Sequence, residues 1–218
     1  MLLGEDLSST KYEDSWNTAL TNGKTTYDSL EISKRDMSKD ALVRTTTVLK
    51  YTVYIFIEAI TYKDNEWSFN EFLSAIFYIG KETVNRASKK RRIDQHLKEA
   101  SQESAITHCY ERIQTIWDQE TCDKPNKLHP KGFYVVDVFK NVDNVNITEL
   151  MAYSFEKILI QTIGMFHLTN EDYGRSGEQK IDSWADDKRC EYGIYLLNMA
   201  FNEFRLRSEL YCPCHKTP

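Results

Sequence analysis

The chain has 218 residues, of which 41% are hydrophobic and 12% aromatic, with eight Gly and four Pro. This composition excludes a disordered or collagen-like chain and predicts one compact domain, since a chain of this length buries roughly 70% of its unfolded surface. The formal net charge is −5 at pH 7, so the chain as a whole is acidic.

The N-terminal residues carry neither a basic segment nor an apolar run, and no signal peptide is predicted. The densest apolar run, residues 51–61, is much shorter than the roughly 20 residues that a membrane span needs, so no transmembrane segment is predicted. The five cysteines are an odd number, which favours reduced thiols over a disulfide framework. We therefore expect an intracellular protein, either cytoplasmic or nuclear.

Residues 1–37 are polar and weakly periodic, and we expect a loosely packed N-terminal arm with one amphipathic stretch over about residues 11–20 that Gly23 would end. From Ser38 onward the apolar residues recur near helical spacing, which favours a long buried helix across residues 42–62. The same segment is rich in β-branched and aromatic side chains typical of strands, so a strand remains the alternative.

Ser68 and Glu71 have the spacing of a capping box. The helix that they begin is expected to run toward Asn85, with Gly80 as a close-packing point or a kink. A single apolar stripe over residues 93–117 indicates another long helix.

Residues 119–132 contain two prolines and a glycine and are predicted to form a loop. The next segment, residues 133–139, is the best strand candidate in the chain. A helix is then predicted over about residues 149–167, followed by a loop over residues 168–177 and a last long helix.

Together these elements predict a mainly α fold, namely a single-domain helical bundle of about five major helices with one small β element near residues 133–139. The predicted divisions are the polar arm over residues 1–37, a helical domain over residues 38–211 and a C-terminal tail over residues 212–218. Helical bundles host many functions, so this fold alone predicts none.

Residues 81–98, here called the basic segment, oppose the acidic character of the chain. They contain seven basic and two acidic residues, a net charge of +5 that leaves −10 on the other 200 residues. This asymmetry indicates a local site for an anionic partner. The predicted anion-binding residues are Lys81, Arg86, Lys89, Lys90, Arg91, Arg92 and Lys98.

Clustered positive charge of this kind is typical of nucleic-acid binding, in which each phosphate contact releases counterions. It also suits a nuclear-localisation signal or a lipid head-group site. A solvated helix start whose charges pair with acidic residues elsewhere is a further explanation, so the composition leaves these alternatives open.

Arg91 and His96 have an Arg-x4-His spacing that resembles the catalytic signature of HEPN-type ribonucleases, which are helical bundles. The resemblance implies a metal-independent ribonuclease. In it, His96 would be the acid or base and Arg91 the cation that stabilises the phosphate.

The C-terminal residues Cys212, Cys214 and His215 are candidate ligands for zinc or another soft metal. Structural zinc sites usually combine two half-sites, and no second half-site of suitable spacing is present in the sequence. Incidental thiols on a tail are therefore favoured over a metal site. No cofactor is predicted, because the sequence has no glycine-rich phosphate loop, hydrolase elbow or zinc-protease motif.

The sequence thus favours a non-enzymatic helical binding or assembly module that presents the basic segment to an anionic partner, preferably nucleic acid. One alternative is the HEPN-like ribonuclease with Arg91 and His96. The other is a protein–protein adaptor whose basic residues dock an acidic partner or direct nuclear import. We also expect a protein partner or self-association, because residues 42–62 and 150–166 are apolar on more than one face.

Overall fold

The structure is a computed structural model that describes residues 10–30, 50–59, 67–84, 92–102, 107–118, 132–139, 147–207 and 209–211. Its helices are α1 (Thr10–Ser29), α2 (Phe69–Ala75), α3 (Arg92–Ala100), α4 (His108–Asp118), α5 (Glu149–Ile163), α6 (Gln179–Asp182) and α7 (Asp186–Arg207). A 3-10 turn covers Met165–His167. The strands are β1 (Lys50–Glu58), β2 (Ile76–Val84), β3 (Phe133–Asp137) and β4 (Glu209–Tyr211).

The four strands form an antiparallel sheet in the order β2-β1-β3-β4. β1 pairs with β2 on one side and with β3 on the other, so it is a central strand. Its residues Val53–Ile57 are all buried. A strand buried on both faces needs a nearly continuous apolar run, which is what this segment provides.

Helices cover both faces of the sheet. Along β1, Val53, Ile55 and Ile57 pack into the core formed with α2, α5 and α7. Tyr54 and Phe56 alternate with them and pack against α3 and α4 on the opposite face. The fold therefore has three layers, with the sheet between two groups of helices.

The prediction of a mainly α helical bundle is wrong. The segment 42–62, for which a helix was favoured, forms β1 from Lys50, whereas residues 31–49 lie outside the described residues. The helix expected from Ser68 toward Asn85 ends at Ala75, and β2 follows it directly. A segment that is apolar on both faces fits a buried helix and a central strand equally well, so periodicity alone does not separate them.

The predicted capping box at the start of α2 is confirmed. The Ser68 Oγ accepts the Glu71 N–H at 3.2 Å, and the Glu71 carboxylate accepts the Ser68 N–H at 2.7 Å. These bonds satisfy amides that the first helical turn leaves open.

Ser68→Ala is expected to lower the free energy of unfolding by about 1 kcal/mol, because it removes one of these bonds. Urea unfolding monitored by circular dichroism measures the change. The matched control is Ser74→Ala on the same helix, whose hydroxyl only donates back to the Glu71 carbonyl. An equal loss of stability in both variants would contradict the assignment of the cap.

α1 extends beyond the predicted amphipathic stretch and packs along α7. Gly23 does not end the helix, because it lies against α7, where a Cβ atom would come within 2.4 Å of the Glu191 carbonyl oxygen. The Tyr27 and Tyr195 rings are 5.5 Å apart at their centroids across the same interface. The predicted domain divisions at residues 37 and 211 stay predictions, since the residues on at least one side of each lie outside the described ranges.

Candidate functional site

Polar and titratable side chains gather where β2, an edge strand of the sheet, meets the start of α3. Side chains of β2 alternate between the two faces of the sheet. Tyr78 packs with the α3 and α4 core, and Glu82 contacts the first residue of α3. Lys81 points to the opposite face, where its amino group lies over the ring of Tyr153 on α5.

The side chains of Tyr78, Tyr54 and His96 lie next to one another, and we call this group the Tyr78–Tyr54–His96 chain. The Tyr54 hydroxyl and the His96 Nε2 atom are hydrogen-bonded at 2.8 Å. The Tyr78 ring lies beside both of them, with its centroid 6.2 Å from that of Tyr54 and 5.2 Å from that of His96. Tyr54 is 1% exposed and His96 is 2% exposed, whereas Tyr78 is half-buried. The chain therefore leads from the surface into the interior.

Two features of β2 allow this arrangement. The register of β1 with β2 shifts between Phe56 and Ile57, which leaves Phe77 without a partner and places Phe77 and Tyr78 in the same core. Gly80 is the partner of Tyr54 across the strands. A Cβ atom at Gly80 would lie 2.6 Å from the Tyr54 hydroxyl and 2.9 Å from the Tyr78 ring, so only glycine fits.

The first turn of α3 is held by a buried carboxylate. Glu82 is 6% exposed, and its Oε2 atom accepts the Arg92 N–H at 3.0 Å. A carboxylate at this place satisfies an open amide and lies at the positive end of the helix dipole. Arg92 and His96 are four positions apart in α3, so the two side chains share one face of the helix. The Arg92 side chain is exposed and hydrogen-bonds to Gln95.

Burial sets the protonation states in this group. It lowers the pKa of His96, together with the nearby Arg92 cation, to about 4. Burial also raises the pKa of Tyr54 and of Tyr78 well above the usual value of 10. At neutral pH the imidazole is therefore neutral and both phenols keep their protons. No described residue bonds to the His96 Nδ1 atom.

This low pKa makes the protein sensitive to acid. The unfolded chain takes up a proton at His96 below about pH 6.5, whereas the folded chain does so only near pH 4. The free energy of unfolding is thus expected to fall between pH 6.5 and pH 4, by up to about 3 kcal/mol from this residue. Urea unfolding at several pH values measures the loss. His96→Gln should lose less stability on acidification than the exposed control His167→Gln; equal losses would contradict the prediction.

Glu156 of α5 approaches β2 along its outer edge. The Lys81 backbone hydrogen-bonds to the Glu156 carboxyl, and the charge of Glu156 acts on Tyr78. Burial raises the pKa of Glu156 to about 7, and Asp172 adds to this effect, while the cations of Lys81 and Arg175 oppose it. Glu156 is therefore about half ionised at neutral pH.

The outer edge of β2 is also fixed by the chain that follows α5. The Thr169 N–H and hydroxyl both donate to the Phe77 carbonyl, at 2.7 and 2.9 Å. The Asn170 side chain accepts the Ile79 N–H at 3.1 Å and donates to the Ile79 carbonyl at 2.8 Å. These bonds satisfy the exposed edge on both sides of Tyr78 and hold it in place.

The structure separates the predicted anion-binding residues. Arg92 lies at the Tyr78–Tyr54–His96 chain, Lys98 is exposed farther along α3, and Lys81 lies on the other face of the sheet with its amino group 3.5 Å from the Glu149 carboxylate. The remaining members lie outside the described residues, namely Arg86, Lys89, Lys90 and Arg91. The candidate metal ligands Cys212, Cys214 and His215 also lie outside them. Anion binding by these side chains and metal binding by the tail stay predictions.

A model of the LEM-3-like GIY-YIG domain matches residues 51–212, a range that contains every residue of the group around β2. The chain belongs to this family. GIY-YIG domains are a nuclease domain family. Comparisons with curated proteins and with solved structures gave no match.

The family name contains two tripeptides, Gly-Ile-Tyr and Tyr-Ile-Gly, and the sequence can be compared with both. Tyr78-Ile79-Gly80 is the second tripeptide, and Thr52-Val53-Tyr54 on β1 keeps the tyrosine of the first. The tripeptide at Tyr78 was the signal by which the sequence could have located this site. Tyr54 and Glu156 have no comparable local signal, because sheet pairing and the packing of α5 bring them to Tyr78.

Membership of a GIY-YIG family corrects the functional prediction. A non-enzymatic binding module is wrong, because the family is a nuclease domain family. The two alternative functions, a protein–protein adaptor and a HEPN-like ribonuclease, are contradicted for the same reason, because the matched domain belongs to neither class. In the structure, the arginine whose charge acts on His96 is Arg92.

The comparisons bear on only part of the predicted partners and location. A GIY-YIG domain is consistent with nucleic acid as the partner class. A protein partner and a cytoplasmic or nuclear location stay predictions. Within the described part of the chain, no helix combines the length and hydrophobicity of a membrane span.

Proposed function

We propose that the protein is a nuclease that hydrolyses phosphodiester bonds of nucleic acid at the β2 edge. The observation that carries this proposal is the half-buried Tyr78 side chain at the β2 edge, which lies beside the Tyr54–His96 hydrogen bond and whose pKa responds to charges of opposite sign. The Glu156 carboxylate raises that pKa, and the Arg92 cation lowers it. A cation, a carboxylate and a proton acceptor around one edge of the sheet suit attack of water on a phosphate.

Tyr78 is the member of the Tyr78–Tyr54–His96 chain that can reach a substrate, because Tyr54 and His96 are buried. Its hydroxyl can orient the attacking water. As the water loses a proton to Tyr78, the Tyr78 proton can pass to Tyr54 and the Tyr54 proton to the His96 Nε2 atom. Because its pKa is about 4, His96 holds this proton briefly and passes it back through Tyr54 and Tyr78 to water, and the leaving oxygen takes its proton from solvent water.

Arg92 supplies the positive charge. Its guanidinium is exposed at the start of α3, and a guanidinium can donate two parallel hydrogen bonds to phosphate oxygens. These bonds strengthen as negative charge accumulates on the phosphate in the transition state. The buried Glu82 carboxylate fixes the Arg92 backbone and so limits the positions that this side chain can take.

Glu156 fits the role of ligand for a divalent cation. Mg²⁺ in phosphoryl-transfer sites is commonly held by one or two carboxylates, with substrate oxygens and water as the remaining ligands. The described residues contain no group of three metal-ligating side chains, so one carboxylate with substrate and water is the arrangement that fits. A cation bound to Glu156 would stabilise negative charge on the phosphate.

Cleavage of a labelled oligonucleotide in the presence of Mg²⁺ tests the proposal. Only ionised Glu156 binds a cation, so the rate should rise roughly tenfold between pH 6 and pH 8, following a pKa of about 7. Glu156→Gln cannot ionise, and its residual activity should lack this rise. The exposed Glu111→Gln on α4 is the control and should keep it.

Intact nucleic acid at every pH, with protein shown to be folded, would refute the nuclease assignment. An unchanged pH profile in Glu156→Gln would leave the nuclease assignment in place but remove Glu156 from the site.

A further inference from the structure

Phe166 is the most exposed large hydrophobic side chain of the described residues. It is 100% exposed, compared with 54% for Tyr173, which follows in the same connection, and 72% for Leu206 at the far end of α7. Phe166 lies in the short 3-10 turn that links α5 to the segment along β2. A phenylalanine there contributes no core packing, so its exposure calls for another explanation.

The turn that carries Phe166 is tightly anchored. Gly164 has a φ of +92°, which a residue with a side chain would rarely adopt, and its N–H donates to the Ile160 carbonyl at 2.9 Å. The His167 N–H donates to the Gly164 carbonyl and the Leu168 N–H to the Met165 carbonyl, both at 3.1 Å. Leu168 is buried. The backbone therefore holds Phe166 outward in a defined place.

This place is next to the proposed nuclease site. Thr169 and Asn170 bond to β2 at Phe77 and Ile79, the two neighbours of Tyr78. Phe166 is three residues before Thr169, and three residues of chain span at most about 11 Å. The backbone of Phe166 therefore lies close to the β2 edge, and a strand of nucleic acid with its phosphate at Tyr78 can extend that far.

The charges around this segment favour contact with a base over contact with a phosphate. Two acidic side chains, Glu171 and Asp172, are balanced by two basic ones, Lys157 and Arg175. The surface therefore has no net positive charge with which to attract the backbone. An aromatic ring stacks on a nucleobase without needing such charge, since every base offers a π face.

We propose that Phe166 stacks on an unpaired base of the nucleic acid bound at the β2 edge. The proposal rests on the nuclease function and deepens it, because the base faces of a regular duplex are covered by their neighbours. The preferred substrate is then a nucleic acid that presents an unstacked base close to the scissile phosphate. Tyr173 in the same connection offers a second ring beyond Phe166.

The test uses the full chain and a single-stranded DNA oligonucleotide with a single 2-aminopurine, whose fluorescence reports stacking. Phe166→Ala should bind roughly tenfold more weakly, at low and at high salt alike, and should lose the fluorescence change. Phe166→Trp should retain both. Leu206→Ala removes a comparably exposed apolar side chain elsewhere and should match the wild type in binding and fluorescence.

Three results would overturn the stacking proposal. Binding, fluorescence and cleavage by Phe166→Ala equal to those of the wild type would refute it while leaving the nuclease function intact. A change in sedimentation coefficient with unchanged DNA binding would assign Phe166 to contact between copies of the chain. If the folded wild-type protein neither binds nor cleaves the oligonucleotide, the proposed function fails as well.

Discussion

Arg92→Ala is expected to reduce the rate of nucleic-acid cleavage by roughly 100- to 1000-fold, the usual loss when one donor to a developing negative charge is removed. The fold should survive. The Arg92 side chain is exposed, and the bond that holds α3 to Glu82 is made by the backbone N–H, which alanine keeps.

Single-turnover cleavage of an end-labelled oligonucleotide at saturating protein measures this effect apart from binding. Arg92→Lys keeps the charge but loses the fork of parallel donors, so it should recover only part of the rate. The matched control is Lys24→Ala, which removes an exposed cation that pairs with Asp28 on α1. Similar losses in the Arg92 and Lys24 variants would show that overall charge, and not this guanidinium, supports cleavage.

Gly80→Ala is expected to impair both stability and cleavage. The added Cβ atom would lie 2.6 Å from the Tyr54 hydroxyl, so Tyr54 must move away from His96 or the strands must separate. Overpacking of this kind costs about 1–3 kcal/mol in the free energy of unfolding. A displaced Tyr54 also breaks the Tyr78–Tyr54–His96 chain, and a break of this size is expected to lower the rate by roughly 100-fold or more.

Gly23→Ala separates the two effects of the Gly80 substitution. Gly23 precedes the GIY-YIG match at residues 51–212, and its Cβ atom would lie 2.4 Å from the Glu191 carbonyl oxygen at the α1–α7 interface. A similar loss of stability with an unchanged rate per folded molecule is expected there. Circular dichroism gives the folded fraction of each variant. If Gly80→Ala is as active per folded molecule as Gly23→Ala, the Tyr78–Tyr54–His96 chain has no part in the mechanism.

Local signals in the sequence predicted local structure well. The capping box at Ser68 depends on two residues three positions apart, so the sequence contains all that is needed to form it. The basic segment likewise drew attention to the region that contains Arg92 and His96. The same reasoning paired His96 with Arg91 from their Arg-x4-His spacing, and because Arg91 lies outside the described residues, that pairing stays a prediction.

These local signals did not predict the sheet. β1 and β2 are buried against helices on both faces, which removes the polar–apolar alternation that identifies a strand with one exposed face. Whether such a segment becomes a helix or a strand depends on the partners that satisfy its backbone groups, and those partners are distant in sequence. The bundle prediction failed for this reason.

The sequence by itself determined the composition of the domain, its local caps, and the concentration of positive charge between residues 81 and 98. Only the tertiary structure decided that Tyr54 lies over Gly80, that His96 is buried and neutral, and that burial gives Glu156 on α5 a pKa of about 7. The protonation state of a side chain depends on the distant segments that pack around it and exclude water. Packing between strands and helices sets that environment, and no short stretch of sequence encodes it.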